Sequence, residues 1–255
     1  MNIVVVVFFA HPDDETMLCG GTLALLSSLG AQIHYLCATR GEGGEVGEPP
    51  LCTREELGQL RSAELACAIE QLGGNNLTFL GYTDPEPDAD GVLRAYAENV
   101  DEVINKLCAY LHRTKPQALL THGTNGEYRH PAHVLCHQAA VGAIRQLGSK
   151  APLLYTFQAA FEEHPRPRLC NQDDPADLIL DLPPEIVQRK TAAALCHRTQ
   201  HALFVRNRSR EVGRQLTVPE VIVTTESIHR VHPPAHPPQD ELASLLLKSG
   251  CARRA

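Results

Sequence analysis

The stretch that decides the fold is IVVVVFFAHPDDE, residues 3–15, in which an apolar run ends abruptly in charged side chains. Its first part, Ile3–Phe9, is continuously apolar, which is typical of a strand buried on both faces of a parallel sheet. Residues that leave such a strand at its carboxyl end enter the crevice where open α/β sheets bind ligands. We therefore expect His11, Asp13 and Asp14 to lie in a ligand-binding crevice.

Apolar β-like runs alternate with helical periodicity through the first 160 residues. Besides the first strand, we predict strands at 32–38, 77–80, 118–121 and 153–157, and helices at 15–29, 54–72, 95–113 and 131–147. Strand and helix alternating at this spacing imply an α/β fold, a Rossmann-like three-layer sandwich with a mostly parallel central sheet.

The pattern weakens beyond about residue 160, where we predict strands at 177–182 and 220–225 and helices at 184–200 and 239–248. The sequence contains neither an internal repeat nor a clear linker. We therefore expect a single domain over residues 1–255, with a core over about 1–205 and a less regular C-terminal extension.

Composition excludes several classes of partner. The chain has 255 residues and a net charge of −7 with histidine counted as neutral. That balance disfavours binding to nucleic acid or an anionic membrane, which needs clustered basic residues. No segment approaches the roughly 20 apolar residues that cross a bilayer, and the start lacks a signal-peptide pattern, so we expect a cytoplasmic protein. Homo-oligomer formation is left open.

Nine cysteines are scattered through the chain without a C-x-x-C pair, which fits neither a zinc ribbon nor a thioredoxin-type motif. Cys37, Cys67, Cys108 and Cys136 fall in apolar periodic stretches. We expect most of the cysteines to be reduced core residues.

The charged run His11–Glu15 concentrates three carboxylates and an imidazole within five positions. Carboxylates this close must titrate together or share a cation, and His with Asp is an ordinary pair of zinc ligands. The alternative is a charged helix start, since acidic side chains favour the first turn.

A second cluster follows the predicted strand at 118–121 and opens the helix at 131–147. It runs from Glu127 to His133 and contains His130 and His133, with His137 one helical turn beyond His133 on the same face. A lone histidine at a helix start is more often structural than metal-binding. Two clusters at two strand ends of one sheet, however, favour a three-ligand catalytic site with an open position.

Other nucleotide or hydrolase motifs are absent from the sequence. The glycines of GEGGEVG, residues 41–47, do not fit G-x-G-x-x-G, and their interleaved glutamates would repel a pyrophosphate. The sequence contains no Walker-A loop, G-x-S-x-G elbow or H-E-x-x-H helix, which disfavours a kinase-like enzyme and a serine hydrolase.

The motifs AHPDDE, residues 10–15, and HPAH, residues 130–133, resemble the PIG-L/LmbE-like zinc-dependent de-N-acetylases. Order and separation match, and the resemblance extends over about residues 3–205. Further segments that resemble the family are Thr39–Glu42, Arg61–Leu65 with Leu72–Gly73, Gly81–Asp84 and Lys190 with His197–Gln200.

The resemblance implies that His11, Asp14 and His133 hold Zn2+, that Asp13 is the general base, and that His130 stabilises the oxyanion or donates a proton. It implies a metal-dependent hydrolase that removes an acetyl group from an N-acetylglucosamine-type amino sugar or glycoconjugate by attack of metal-activated water on the amide. A larger thiol conjugate or amide as substrate, or a catalytically silent metal-binding protein, stays open.

Substrate contacts are expected from Arg61, Glu42 and Asp84, the last two in loops that follow predicted strands. Arg61 has an alternative, because an arginine on a long helix is often solvated or paired with an acid such as Glu64, three positions on. One position departs from the family pattern: Ala132 stands where an acid is common. A carboxylate there would tune His130, so the protonation role of His130 is left open.

Overall fold

The computed structural model describes residues 3–74, 76–234 and 239–255. Its strands are β1 (Val4–Phe9), β2 (Gln32–Cys37), β3 (Asn76–Phe79), β4 (Ala118–Thr121), β5 (Leu153–Phe157), β6 (Ala159–Ala160), β7 (Asn171–Pro175), β8 (Leu178–Asp181), β9 (Thr225–His232) and β10 (Ala252–Arg254). Its helices are α1 (Asp14–Met17), α2 (Gly20–Ser28), α3 (Leu57–Leu72), α4 (Val100–Thr114), α5 (Gly126–Arg129), α6 (Pro131–Leu147), α7 (Pro184–Cys196), α8 (His201–Val212) and α9 (Glu241–Lys248).

The central sheet confirms the predicted α/β fold with a mostly parallel sheet. Within the described residues it has eight strands in the order β10-β8-β9-β5-β4-β1-β2-β3. Strands β1 to β5 pair in parallel, whereas β9 pairs antiparallel with both β5 and β8. Because β1 and β4 are parallel neighbours, with Phe8 opposite Thr121, their carboxyl ends open onto the same edge of the sheet.

Side chains from the two faces of the sheet form two separate cores, as the alternation of a strand requires. Val5, Val7 and Phe9 of β1 pack with α2, α3, α7 and α9 on one face. Val6 and Phe8 pack with α4 and α6 on the other. Since β1 is buried on both faces, its sequence does not alternate between apolar and polar residues. The charged residues that follow it are therefore attached to a well-packed strand.

The predicted helix at 15–29 is interrupted between α1 and α2. The carboxylate of Glu226, from β9, accepts backbone N–H groups of Gly21 and Thr22 at 2.8 and 2.7 Å, and so satisfies the start of α2. A Cβ on Gly21 would lie 2.2 Å from a methyl carbon of Leu182. The helix therefore restarts where a distant strand caps it, which periodicity does not reveal.

The strand predicted at 220–225 is wrong. Pro219–Val221 forms a short 3-10 turn, and the strand begins at Thr225. Proline has no N–H to donate and suits the first position of a helical turn, which displaces the strand toward the C-terminus. The predicted helix at 184–200 ends at Cys196, and α8, β6, β7 and β10 were not predicted.

Cys67 is an exception to the expectation that most cysteines are reduced core residues, because it forms a disulfide with Cys196. Cys67 lies on an exposed side of α3, which packs against α7, and the two Cα atoms are 5.8 Å apart. Cys37, Cys108 and Cys136 are buried and unpaired, as expected.

The organisation as a single domain over residues 1–255 remains a prediction. Strand β9 lies beyond residue 205 and occupies an interior position of the sheet, between β5 and β8. No helix in the described part of the chain is both long and apolar enough to cross a membrane.

Candidate metal centre

The two histidine-containing clusters meet at the shared edge of β1 and β4. His133 Nε2 lies 3.2 Å from Asp14 Oδ1, and His11 Nδ1 lies 3.3 Å from Asp14 Oδ2. The rings of His11 and His133 have centroids 5.4 Å apart. All three side chains are buried. The structure thus brings together the three residues for which zinc binding was expected.

The ionisable side chains of this cluster strongly change one another's pKa. Burial opposes ionisation of Asp14, but His133 and His11 outweigh it, and the pKa of Asp14 lies well below its usual value. Burial alone would lower the pKa of His133, whereas Asp14 and Glu127 raise it to about 10. The metal-free cluster therefore holds protons that a bound cation would displace.

Two buried nitrogen atoms test whether a metal fits. His11 Nε2 and His133 Nε2 have no hydrogen-bond partner among the described residues, although Asp84 and Asp14 carboxylate oxygens lie 3.3 and 3.2 Å away. Buried imidazole nitrogens are normally hydrogen-bonded or bound to a metal. Two overlapping groups have the spacing of metal ligands: His11 with His130 and His133, and Asp14 with His122 and His133. The donor set fits a divalent cation.

Asp13 stands beside this cluster in an unusual backbone conformation, with φ 109° and ψ −27°. Its N–H donates to Glu15 Oε2 at 2.9 Å, and its Oδ2 lies 3.2 Å from Arg61 Nη2. Burial raises the pKa of Asp13 to about 6, against the opposing charge of Arg61. A positive φ is unfavourable for residues other than glycine, and here it places the Asp13 carboxylate at the site. That carboxylate has a pKa near neutrality.

Glu15 is fully buried. Besides the Asp13 N–H, it contacts His197, with Oε1 2.9 Å from His197 Nε2. His197, which follows α7, is also fully buried. Glu15 therefore contacts both the Asp13 backbone and His197, and this buried pair helps to hold the turn at Asp13.

His130 caps the start of α6. Its Nδ1 accepts the backbone N–H of Ala132 at 3.2 Å, so the neutral ring carries its proton on Nε2. The ring stacks on His133 with centroids 4.5 Å apart and meets His11 edge-on at 4.8 Å. Burial, with the charges of His133 and His11, lowers the pKa of His130 to about 3.

Arg61 is 3% exposed and lies behind Asp13. Its Nη1 donates to the carbonyl of Gly41 at 2.8 Å, and its Nη2 donates to the carbonyl of Pro12 as well as to Asp13. The alternative partner Glu64 is instead occupied by the N–H and hydroxyl of Thr199. In this arrangement Arg61 orients Asp13 and the loop at Gly41.

The two acidic candidates for substrate contacts differ in placement. Asp84 reaches the cluster, with Oδ1 3.3 Å from His11 Nε2. Glu42 joins two loops, because its Oε2 accepts the backbone N–H groups of Arg40 and Asp84 at 3.1 and 3.0 Å. Asp84 therefore faces the site directly, and Glu42 holds the loop that carries it.

Sequence reasoning missed three buried residues of the site: His122, Glu127 and Asn171. His122 directly follows β4, so the strand-end rule that selected His11 applies to it equally. Glu127 belongs to the second cluster but carried no predicted role, although its Oε2 lies 2.7 Å from His133 Nδ1. Asn171 lies on β7, far along the chain, and has no local signal.

The chain is similar in sequence to known proteins. Residues 6–144 match the family model described as "PIG-L: GlcNAc-PI de-N-acetylase". A protein from Mycolicibacterium vanbaalenii named 1D-myo-inositol 2-acetamido-2-deoxy-alpha-D-glucopyranoside deacetylase is 30% identical over 242 residues, which cover 82% of this chain and 85% of that protein. A protein of the same name from a Mycobacterium species is 29% identical over 244 residues, covering 82% and 78%.

Solved structures share the fold. N,N'-diacetylchitobiose deacetylase from Pyrococcus horikoshii superposes with a TM-score of 0.62 at 18% identity, covering 89% of this chain and 83% of that one. GalB, a 4-carboxy-2-hydroxymuconate hydratase from Pseudomonas putida, gives a TM-score of 0.58 at 23% identity, covering 93% and 100%. A deacetylase and a hydratase thus share this fold, so the reaction must be argued from the site.

Proposed function

Because the chain belongs to the PIG-L family, we propose that it is a zinc-dependent hydrolase that removes the acetyl group from an N-acetylglucosamine-type amino sugar or glycoconjugate. The observation that carries this proposal is the pair of unpartnered buried atoms, His11 Nε2 and His133 Nε2, beside the carboxylate of Asp13. The names of the sequence relatives, deacetylases of an acetamido sugar linked to inositol, support the substrate class.

In this proposal His11, Asp14 and His133 hold the cation, and a bound divalent metal supplies a water of pKa about 7 and polarises the amide carbonyl. Two imidazoles and one carboxylate form a common ligand set of catalytic zinc sites. The metal is taken as zinc on the chemistry of these donors.

Asp13 is the general base. Its carboxylate accepts a proton from the attacking water and returns it to the amine that leaves as the C–N bond breaks. Its orientation depends on two buried contacts, the N–H donated to Glu15 and the guanidinium of Arg61. A base whose pKa lies near neutrality suits both directions of proton transfer.

His130 is the hydrogen-bond donor to the oxyanion of the tetrahedral intermediate. Its Nδ1 is occupied by the Ala132 N–H, so the Nε2–H is the group available to the substrate. The lowered pKa keeps this ring neutral, and a neutral ring stabilises negative charge by donation rather than by transferring a proton. The backbone contact takes the orienting role that an acid at position 132 would have, which gives His130 a defined tautomer despite Ala132.

Asp84 is the proposed contact to a sugar hydroxyl, since its carboxylate borders the cluster next to His11. Arg61 and Glu42 act on the substrate through Asp13 and through the loops at residues 41–52 and 83–91. Nη1 and Nη2 of Arg61 and Oε2 of Glu42 already have partners within the protein, which supports this division of roles.

The experiment that tests this function is a panel of substrates incubated with protein reconstituted with one equivalent of zinc. The panel contains N-acetylglucosamine glycosides, an N-acetylglucosaminyl inositol and an amide of a thiol S-conjugate, and release of free amine and acetate is measured. We expect turnover of the N-acetylglucosamine-type compounds, with kcat lowered by about 10²- to 10⁴-fold in Asp13→Asn. Turnover of the thiol conjugate alone would reassign the substrate, and zinc binding without amine release from any compound would contradict hydrolysis.

A further inference from the structure

The Glu127 carboxylate lies beneath the metal centre and is enclosed by hydrogen-bond donors. It is 3% exposed. Its Oε2 lies 2.8 Å from His122 Nδ1 and 2.7 Å from His133 Nδ1. Its Oε1 accepts the Gly123 N–H at 3.1 Å and the Asn171 side-chain amide at 3.0 Å. Four donors thus occupy both oxygens of a single buried carboxylate.

The backbone around Glu127 is held in a conformation that a non-glycine residue rarely adopts, with φ 57° and ψ −81°. The side-chain oxygen of Asn171 fixes this turn by accepting the N–H groups of Asn125 and Glu127, both at 3.1 Å. A Cβ on Gly123 would lie 2.1 Å from the Asn171 side chain, so the two segments are in close contact. Such strain persists where surrounding contacts require it, often at functional sites.

These contacts determine which nitrogen of each imidazole carries the proton. An ionised carboxylate can only accept, so His122 and His133 both donate through Nδ1. In His122 the remaining Nε2 accepts the Ala10 N–H at 3.1 Å, so that ring is fully occupied. In His133 the remaining Nε2 has no hydrogen-bond partner among the described residues and lies beside Asp14.

We propose that Glu127 is a positioning residue for the metal centre, whose carboxylate fixes His133 in the tautomer that presents the Nε2 lone pair to the cation. His122 stacks on His133, with ring centroids 4.0 Å apart, and completes the enclosure of the carboxylate. Carboxylates that accept the second N–H of a metal-binding histidine orient the ring and strengthen the ligand. The inference rests on the proposed function because it requires His133 to be a ligand.

A glutamine at position 127 tests this role at nearly constant shape. In Glu127→Gln the amide NH2 faces either the donors of Gly123 and Asn171 or the two imidazoles, and the imidazoles can accept from it only if their proton moves from Nδ1 to Nε2. The control is Glu64→Gln, which alters another buried carboxylate that accepts two hydrogen bonds, from Thr199, and contacts none of the site histidines. The zinc dissociation constant of each metal-free protein is measured by competition with a chelating dye.

We expect Glu127→Gln to bind zinc about 10- to 100-fold more weakly than the unmodified protein, and Glu64→Gln to bind it within about twofold. Wild-type affinity in Glu127→Gln would overturn the inference and leave the proposed function intact. An unmodified protein that binds no zinc would remove the proposed function and this inference with it.

A second measurement needs no variant and therefore does not depend on how Glu127→Gln folds. Nitrogen-15 spectra of histidine-labelled, zinc-loaded protein report which ring nitrogen carries the proton. We expect the His133 signal, assigned by its loss in His133→Gln, to show a proton on Nδ1. A proton on Nε2 of His133, or an unprotonated Nδ1, would overturn the inference.

Discussion

Two segments at the same edge of the sheet build the site in different ways. After β1, residues 10–15 supply two proposed ligands, His11 and Asp14, together with the proposed base and its support, within one tight turn. After β4, residues 122–133 pass through the short helix α5 into α6, and His122, Glu127 and His133 come together only because the chain folds back. Both segments contain a non-glycine residue with positive φ, Asp13 at 109° and Glu127 at 57°.

Residues that are close in sequence and residues that are brought together by folding thus contribute different groups to the site. The first segment presents the carboxylate of the proposed base beside the proposed metal site, whereas the second presents imidazoles and encloses the buried carboxylate of Glu127. Changes to Asp13 should therefore lower turnover without changing zinc binding. Within the second segment, changes to some residues should weaken zinc binding and changes to others should lower turnover alone.

The largest effect is expected from Asp13→Asn. Removing the base should lower kcat by about 10²- to 10⁴-fold, since that is what a positioned general base contributes. Zinc content, measured by atomic emission on the same sample, should stay at one equivalent because Asp13 is not in the proposed ligand set. Asp101→Asn, in the first turn of α4, is the matched control and should keep full activity. Loss of zinc from Asp13→Asn would place this carboxylate among the ligands.

His130→Ala should lower kcat by about 10²- to 10³-fold, the usual cost of losing one oxyanion donor. This variant also tests the comparison, because His130 lies within ligand distance of His11 and His133. If His130 donates to the substrate, as proposed, the zinc dissociation constant changes little. A tenfold larger dissociation constant would make His130 a ligand, and the second segment would then supply two ligands, His130 and His133.

Arg61→Gln should move the acid limb of the kcat/KM profile to higher pH. The positive charge of Arg61 lowers the pKa of Asp13, so its removal raises that pKa, by about 1 unit or more for a contact this close. Asp13 must be ionised to act, and activity at a fixed acidic pH falls accordingly. Arg40→Gln is the control, since Arg40 bonds Ser62 and contacts Phe79. An unmoved limb with a raised KM would indicate that Arg61 binds the sugar.

The smallest effect is expected from Arg206→Ala on α8. Arg206 pairs with Glu45 and Glu48 and so ties the loop at residues 41–52 to the region beyond residue 205. The pair is partly exposed, and its loss should change the free energy of unfolding by no more than about 1 kcal/mol. We expect a few-fold rise in KM with unchanged kcat. Unchanged KM would show that this part of the chain does not influence the substrate loop.

Local pattern was sufficient for much of the fold. The bounds of β4, β5 and α6 agree with the prediction, because continuous apolar runs and a proline at the first helical position are strong local signals. The position of β9 could not be predicted in this way. It pairs antiparallel with β5 and β8, and such long-range pairing leaves little trace in the strand's own sequence.

The same limit applies to the candidate site. The strand ends and the helix start predict the two clusters, and the family resemblance implies His11, Asp14 and His133 as the ligands within them. These three side chains do meet. The environment of Arg61 could not be predicted, since its partners are the Gly41 carbonyl and Asp13 rather than a neighbour on its own helix. The role of Glu127 depends on contacts with β7, 44 positions away at Asn171.

The most direct test of the central claim is a zinc titration of the metal-free protein, with acetate release from an N-acetylglucosamine-type substrate followed at each point. The two segments are proposed to form one metal-dependent amide-hydrolysing site. Activity should then be absent without metal, rise in proportion to added zinc and reach its maximum at one equivalent. Full acetate release by the chelator-treated protein, or one tightly bound zinc without any acetate release, would contradict the account.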